Sequence, residues 1–133
     1  MIDLLKNMKI ITNNSYICEL FNEIIDVIYI KGGYLDVLYA ARDKIHLGDI
    51  LVSHPLMGSL KPNETPYRSI LLDEKKGPLC YQSLSIIESS IESYKKLAKD
   101  NPTPQWSEKV LKDFQLLDAK FIESALSSLG ISI

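Results

Sequence analysis

Residues 8–30 read MKIITNNSYICELFNEIIDVIYI, and this stretch decides the fold because its hydrophobic pattern changes period twice. Residues 8–12 favour a β-strand, and three turn or helix-capping residues follow them. Apolar residues then recur near every 3.6 positions over residues 17–25, which predicts an amphipathic helix. Residues 26–30 are almost continuously apolar, as buried parallel strands are. The stretch therefore predicts a strand, a helix and a second strand.

The same alternation continues further along the chain. Residues 34–46 show helical spacing that ends at Gly48, and apolar runs follow at residues 49–53 and 69–72. Strand, helix, strand, helix, strand is the order of a right-handed α/β unit. We therefore predict an α/β fold, three-layered, with a mostly parallel sheet of about four strands. The long loop before the fourth strand leaves the direction of that strand open.

Two helical segments complete the chain. Residues 81–99 form the clearest helical pattern, and a break at residues 100–104 separates them from a last helical segment. A drift in the apolar stripe of this last segment leaves open whether it is one helix or two. Trp106, near its start, is interpreted as a packing anchor. We predict an α/β domain at residues 1–100 and a helical extension at residues 101–133, packed on that domain or on a partner.

The composition is that of an ordinary globular protein and argues against several classes of function. Fifteen basic and seventeen acidic residues give a net charge of −2, so no overall field attracts nucleic acid or an anionic membrane. No window has the ~20 uninterrupted apolar residues of a membrane span, and no signal-peptide pattern opens the chain, so we expect a cytoplasmic protein. Cys18 and Cys80 stand far apart without metal-ligand spacing, and we expect two reduced thiols. Because neither a dinucleotide fingerprint nor a Walker-type loop is present, we predict no cofactor and no metal.

Residues 54–68 read HPLMGSLKPNETPYR and form the most informative loop of the chain. Three prolines and a glycine forbid regular helix or central strand there, and long loops between buried strands are often functional. Ligands of open α/β sheets bind where loops leave the carboxyl ends of strands. We therefore expect this loop and the Asn-Asn turn after the first strand to share a crevice, provided that strands one and three are neighbours. The candidate ligand-binding residues are Asn13, Asn14, His54, Ser59, Lys61, Asn63, Glu64, Thr65, Tyr67 and Arg68.

Three kinds of function fit these residues. Cations such as Lys61 and Arg68 bind anions, so our leading hypothesis is an accessory or regulatory protein that binds a small anion or anionic metabolite. A small enzyme, a hydrolase or transferase, would use His54 as general acid or base and Glu64 to orient it, although a structural role in the turn into Pro55 fits His54 better. An interaction module would use the apolar stripe of the last helix, which would also allow a homodimer.

Three short motifs resemble the GrdX family. They are GYLDVL at residues 33–38, SHPL with GS within residues 53–59, and KPNETPY at residues 61–67. The last motif is the most specific, because so many constrained residues rarely recur in order by chance. Members of this family are small proteins found with the glycine reductase genes of amino-acid-fermenting anaerobic bacteria, and the resemblance covers roughly residues 9–99. It implies an accessory or regulatory part in that pathway, with glycine reductase components as partners by resemblance alone, and it assigns no catalytic residues.

Overall fold

A computed structural model describes residues 5–56 and 61–131. Its elements along the chain are β1 (Met8–Thr12), α1 (Ser15–Phe21), β2 (Asp26–Tyr29), α2 (Tyr34–His46), β3 (Ile50–Leu51), a 3-10 turn (Pro62–Glu64), β4 (Ser69–Asp73), α3 (Tyr81–Ala98) and α4 (Glu108–Ser128). This order confirms the predicted α/β class, with two helices after the last strand. The last helical segment is one continuous helix, so the alternative of two shorter helices does not occur.

The four strands form one mixed sheet in the order β2-β1-β4-β3. β1 pairs with β2 in parallel, whereas β4 runs antiparallel to both of its neighbours, β1 and β3. The prediction of a mostly parallel sheet is therefore wrong, and β4 separates strands one and three. The physical reason is burial. Ile70, Leu71 and Leu72 of β4 are fully buried, which requires a central strand, while β2 is partly exposed and β3 has only two residues.

Alternate residues of β1 and β4 enter two different apolar clusters. Ile11, Ile70 and Leu72 pack with residues of α2 and α3, whereas Ile10 and Leu71 pack with residues of α1 and α4. Because successive side chains of a strand point to opposite faces, the two clusters lie on opposite faces of the sheet. The C-terminal helix thus contributes to a core of this chain, and the predicted count of three layers stays a prediction.

Local signals set the ends of the helices. The Asn14 side chain caps α1 by accepting a hydrogen bond from the Tyr16 N–H at 3.1 Å, and Ser107 caps α4 in the same manner. Gly48 follows α2 with a φ of +109°, and a Cβ at this position would lie 2.6 Å from the carbonyl oxygen of Lys75. Both the backbone angle and the close approach therefore require glycine at this end of the helix.

A buried ion pair lies toward the amino end of β1, away from the candidate loop. Lys9 Nζ is 3.0 Å from Asp49 Oδ2 and 3.3 Å from Glu74 Oε1. Burial on its own lowers the pKa of Lys9, but the hydrogen bonds and charges of the two carboxylates outweigh burial and raise the pKa. Lys9 therefore stays charged inside the fold.

Candidate functional site

A cavity of about 310 Å³ lies between residues 61–68 of the predicted loop, Trp106 and one face of α4. We call it the Arg68 cavity. Its lining residues are Lys61, Glu64, Thr65, Tyr67, Arg68, Trp106, Phe114, Leu117, Asp118 and Phe121. The loop that the sequence marks as functional therefore forms only one half of the cavity, and the C-terminal helix forms the other.

Aromatic and aliphatic side chains make most of the cavity wall. The lining residues of α4 occupy positions 114, 117, 118 and 121, a spacing that places them on one helix face. Trp106 donates a hydrogen bond from Nε1 to the carbonyl oxygen of Glu64 at 2.8 Å, and its ring centroid lies 5.7 Å from that of Phe114. These two contacts hold the indole in place between the loop and the helix.

Arg68 brings a buried positive charge to the cavity. Its residue is only 3% exposed, and the Phe121 ring centroid lies 5.7 Å from its guanidinium carbon, within range of a cation–π contact. Its Nη2 donates to the carbonyl oxygen of His54 at 3.4 Å, and its backbone N–H donates to Asn13 Oδ1 at 2.8 Å. Both side-chain and backbone contacts thus hold Arg68 in the cavity wall.

Asp118 is the second buried charged group of the cavity, at 4% exposure. Its Oδ2 accepts hydrogen bonds from Ser69 Oγ at 2.6 Å and from Asn14 Nδ2 at 3.0 Å. Its Oδ1 is buried and has no hydrogen-bond partner within the described ranges. Burial raises the pKa of Asp118, against the opposing effects of the Ser69 and Asn14 hydrogen bonds and the charge of Arg68. The carboxylate therefore carries a desolvation cost that its contacts within the fold do not offset.

The carboxamides of the Asn-Asn turn are occupied by protein partners. Asn13 donates from Nδ2 to the carbonyl oxygens of Gly32 at 3.1 Å and Pro66 at 2.9 Å, in addition to accepting from Arg68. Asn14 caps α1 with its side-chain oxygen, and its Nδ2 donates hydrogen bonds to Asp118 Oδ2 and to the Gln115 carbonyl oxygen at 3.1 Å. Both residues lie beneath the loop and hold Arg68 and Asp118 in position, and neither lines the Arg68 cavity.

His54 lies outside the Arg68 cavity with an exposed side chain. Its Nδ1 accepts a hydrogen bond from the Leu56 N–H at 3.1 Å, which braces the turn after Pro55. Partial burial and the charge of Arg68 lower the pKa of His54, so its neutral form dominates near neutral pH. Glu64 Oε2 instead pairs with Lys61 Nζ at 3.4 Å, and no hydrogen bond between Glu64 and His54 occurs in the described part of the loop.

The remaining predicted residues divide between the cavity mouth and the loop interior. The Lys61 side chain is 74% exposed at the mouth, and Thr65 Oγ1 donates to the Lys61 carbonyl oxygen at 3.1 Å. Asn63 is buried away from the cavity, where its Nδ2 donates to the Asn101 carbonyl oxygen and its own carbonyl oxygen accepts from Thr103. Ser59 lies outside the described residues.

Sequence reasoning missed the half of the cavity that α4 supplies. Phe114, Leu117 and Phe121 belong to an apolar stripe that reads as ordinary core, and Trp106 reads as a packing anchor. One signal was available: Asp118 places a carboxylate within that stripe, four residues after Phe114, where an apolar residue is expected. Buried carboxylates are rare unless they are paired, so such a position is a candidate for function.

The described residues show neither a metal site nor a membrane-spanning helix. Within residues 5–56 and 61–131, no group of three or more His, Cys, Asp or Glu side chains is placed to hold a metal ion. None of the helices described for this chain is long and apolar enough to cross a membrane. Cys18 and Cys80 are both free thiols.

The fold and the Arg68 cavity define a small α/β protein with a candidate ligand site between a loop and its C-terminal helix. The chain belongs to the GrdX-like protein family, because the family model matches residues 9–127. This match confirms the resemblance and extends it from residue 99 through almost all of α4. Searches of curated proteins and of solved structures found no match.

Proposed function

We propose that this protein binds a small anionic metabolite in the Arg68 cavity and acts as an accessory or regulatory component of anaerobic amino-acid metabolism. One observation carries the binding proposal: the buried residue Arg68 lines a cavity whose wall surface is mostly apolar. Membership of the GrdX-like family supports the metabolic context, since the resemblance associates such proteins with glycine reductase genes. Glycine reductase components are partners in this proposal on the same basis.

The chemistry of the cavity supports a carboxylate or a phosphate group on the ligand. A guanidinium offers several N–H donors in a fixed plane, and this geometry matches the paired oxygens of such anions. The low polarity around Arg68 strengthens each hydrogen bond relative to water. Lys61, whose side chain is largely exposed, adds a second positive charge to the cavity lining.

The volume limits the size of the ligand. At about 310 Å³ the Arg68 cavity lies at the lower end of the roughly 300–1,000 Å³ of small-molecule sites. An engineered cavity of about 150 Å³ binds benzene, so the Arg68 cavity has room for one ring or branched aliphatic group and its anionic substituent.

We also place the protein in the cytoplasm. Its cysteines, Cys18 and Cys80, are free and partly buried, which suits a reducing compartment. The metabolic role proposed above requires the same location.

Trp106 provides a direct test of binding, because it is the single tryptophan of the chain and lies in the cavity wall. Titration with 3-phenylpropionate, followed by tryptophan fluorescence, is expected to give a saturable change. Arg68→Lys keeps the charge but loses the planar fork, so we expect its Kd for this probe to rise about tenfold or more.

Arg42→Lys is the matched control, because Arg42 pairs with Glu88 at 3.2 Å on the protein surface, remote from the cavity lining. Its Kd is expected to equal that of the wild type. A wild-type protein that binds none of 3-phenylpropionate, 4-methylpentanoate and the corresponding amino acids, phenylalanine and leucine, would contradict the proposed function. So would an equal loss of affinity in the two arginine variants.

A further inference from the structure

We infer that the ligand of the Arg68 cavity is a zwitterion, a small amino carboxylate with an apolar body, and that Asp118 receives its ammonium group. This inference rests on the proposed function and adds the chemical class of the ligand. In this arrangement Arg68 binds the carboxylate, Asp118 Oδ1 accepts from the ammonium, and the aromatic wall surrounds the apolar body.

The first argument is the unused oxygen of Asp118. Buried polar atoms in native proteins almost always have a hydrogen-bond partner, so an exception calls for an explanation. Oδ2 already accepts from Ser69 and Asn14, whereas Oδ1 of this cavity-lining residue is buried and has no hydrogen-bond partner among the described residues. A ligand that donates a hydrogen bond there supplies the missing partner.

The second argument is the charge balance of the lining. Two cations, Lys61 and Arg68, and two carboxylates, Glu64 and Asp118, line the cavity. Lys61 and Glu64 pair with each other, and Arg68 and Asp118 are the two buried charged residues of the lining. A bare anion would bind Arg68 while its charge faced that of Asp118, whereas a zwitterion is complementary to both.

The third argument is the aromatic wall. The rings of Trp106, Phe114, Phe121 and Tyr67 line the cavity together with Asp118. The faces of aromatic rings attract cations, and this attraction grows where water is excluded. The same wall accepts an apolar ligand body, so an ammonium beside a ring or a branched chain meets favourable surroundings on all sides.

The test compares probes that share a skeleton and differ in one charged group. L-phenylalanine, 3-phenylpropionate, which lacks the amine, and phenethylamine, which lacks the carboxylate, are titrated into the full chain by calorimetry and tryptophan fluorescence. Leucine and 4-methylpentanoate form a second, aliphatic pair. We expect the amino acid of each pair to bind about tenfold or more tightly than its deaminated partner, because charge-assisted hydrogen bonds are stronger than neutral ones.

The variant Asp118→Asn tests whether Asp118 causes the preference for the amino acid over its deaminated partner. This variant removes the charge and keeps the size, so we expect it to bind L-phenylalanine no more tightly than 3-phenylpropionate. Asp113→Asn is the matched control, because Asp113 lies on the same helix with an exposed side chain. It is expected to keep the preference in full.

The outcomes separate this inference from the function on which it rests. Equal binding of both members of each pair by the wild type, or tighter binding of the deaminated probes, would overturn the zwitterion and leave the anion site standing. A preference that survives in Asp118→Asn would overturn the role of Asp118. Absence of saturable binding for all five probes would overturn the proposed function itself. The wild-type comparison needs no variant, so it decides the question even if Asp118→Asn fails to fold.

Discussion

Replacing Asp118 by Asn is expected to make the protein more stable at neutral pH, although it removes a charged hydrogen-bond acceptor. Burial raises the pKa of Asp118 despite two hydrogen bonds and the nearby charge of Arg68, so the ionised form is the less favoured one in the folded state. Asparagine resembles the neutral form in shape. It can still accept from Ser69 and Asn14 through its oxygen, and it carries no charge to desolvate.

The magnitude follows from two opposing terms. Each hydrogen bond to a charged group is worth about 1.5–3 kcal/mol and each neutral one about 0.5–1.5 kcal/mol, so the change weakens the two bonds by roughly 2 kcal/mol together. A buried ion that lacks full compensation costs several kcal/mol. We therefore expect a net gain of about 1 kcal/mol in the free energy of unfolding, which corresponds to roughly 3 °C in Tm for a domain of this size.

The pH dependence of this gain distinguishes the cause. A carboxyl whose folded-state pKa lies above its unfolded value of about 3.9 binds a proton more readily when the protein is folded. Wild-type stability therefore rises as the pH falls from the folded-state pKa to the unfolded-state pKa. Asp118→Asn lacks this contribution. The gain is therefore expected to be present at neutral pH and to shrink as the pH falls through the raised folded-state pKa of Asp118 to about 4, close to the unfolded-state value.

Urea unfolding at both pH values, followed by circular dichroism, measures the difference directly. Asp113→Asn serves as the control and is expected to match the wild type within about 0.5 kcal/mol at each pH, because its side chain is exposed. The reasoning is refuted if Asp118→Asn is less stable than the wild type at neutral pH. In that case the carboxylate stabilises the fold and its place in the cavity wall needs no ligand to explain it.

Three further changes test the supports of the site and the rest of the fold. Asn13→Ala removes three hydrogen bonds that hold the loop, and we expect it to lower the free energy of unfolding by about 3 kcal/mol, measured in urea. Asp49→Asn leaves buried Lys9 with Glu74 alone, and we expect a loss of about 3 kcal/mol in the same assay. His54→Gln is expected to leave the Kd for 3-phenylpropionate within about twofold of the wild type, because the imidazole lies outside the cavity lining.

Controls on exposed residues accompany these changes. Asn22→Ala and Asp43→Asn replace the same residue types on the surface, and each should change the free energy of unfolding by about 0.5 kcal/mol or less. Stability losses in these controls as large as in the buried variants would show that the named contacts are not the cause. A large rise in the Kd of His54→Gln for 3-phenylpropionate would show that His54 takes part in binding, and it would favour the enzyme hypothesis.

The sequence by itself determined the class of fold, the family and the position of the loop that lines the Arg68 cavity. The change from period 2 to period 3.6 within residues 8–30 is a local property, and so is the succession of prolines in residues 61–67. Patterns of this kind constrain the backbone directly, because each side chain needs a face to bury and each proline excludes regular structure. Five of the loop residues singled out in this way, Lys61, Glu64, Thr65, Tyr67 and Arg68, line the Arg68 cavity.

Only the tertiary structure decided which atoms remain available to a ligand. Asn13 and Asp118 show the difference: the sequence analysis predicts Asn13 as a ligand-binding residue and does not single out Asp118. In the fold the Asn13 side chain hydrogen-bonds to the backbone of Gly32, Pro66 and Arg68. Asp118 has one buried oxygen without a hydrogen-bond partner among the described residues.

The direction of β4 was also decided only by the tertiary structure. Its residues are apolar on both faces, and the chain buries them by running β4 antiparallel between β1 and β3. This arrangement sets Ser69, at the start of β4, beside Asp118 of α4, 49 residues further along the chain. Many apolar segments could pack against one another, and the pairing that forms depends on the whole chain. No local pattern of the sequence therefore specifies which distant segments meet.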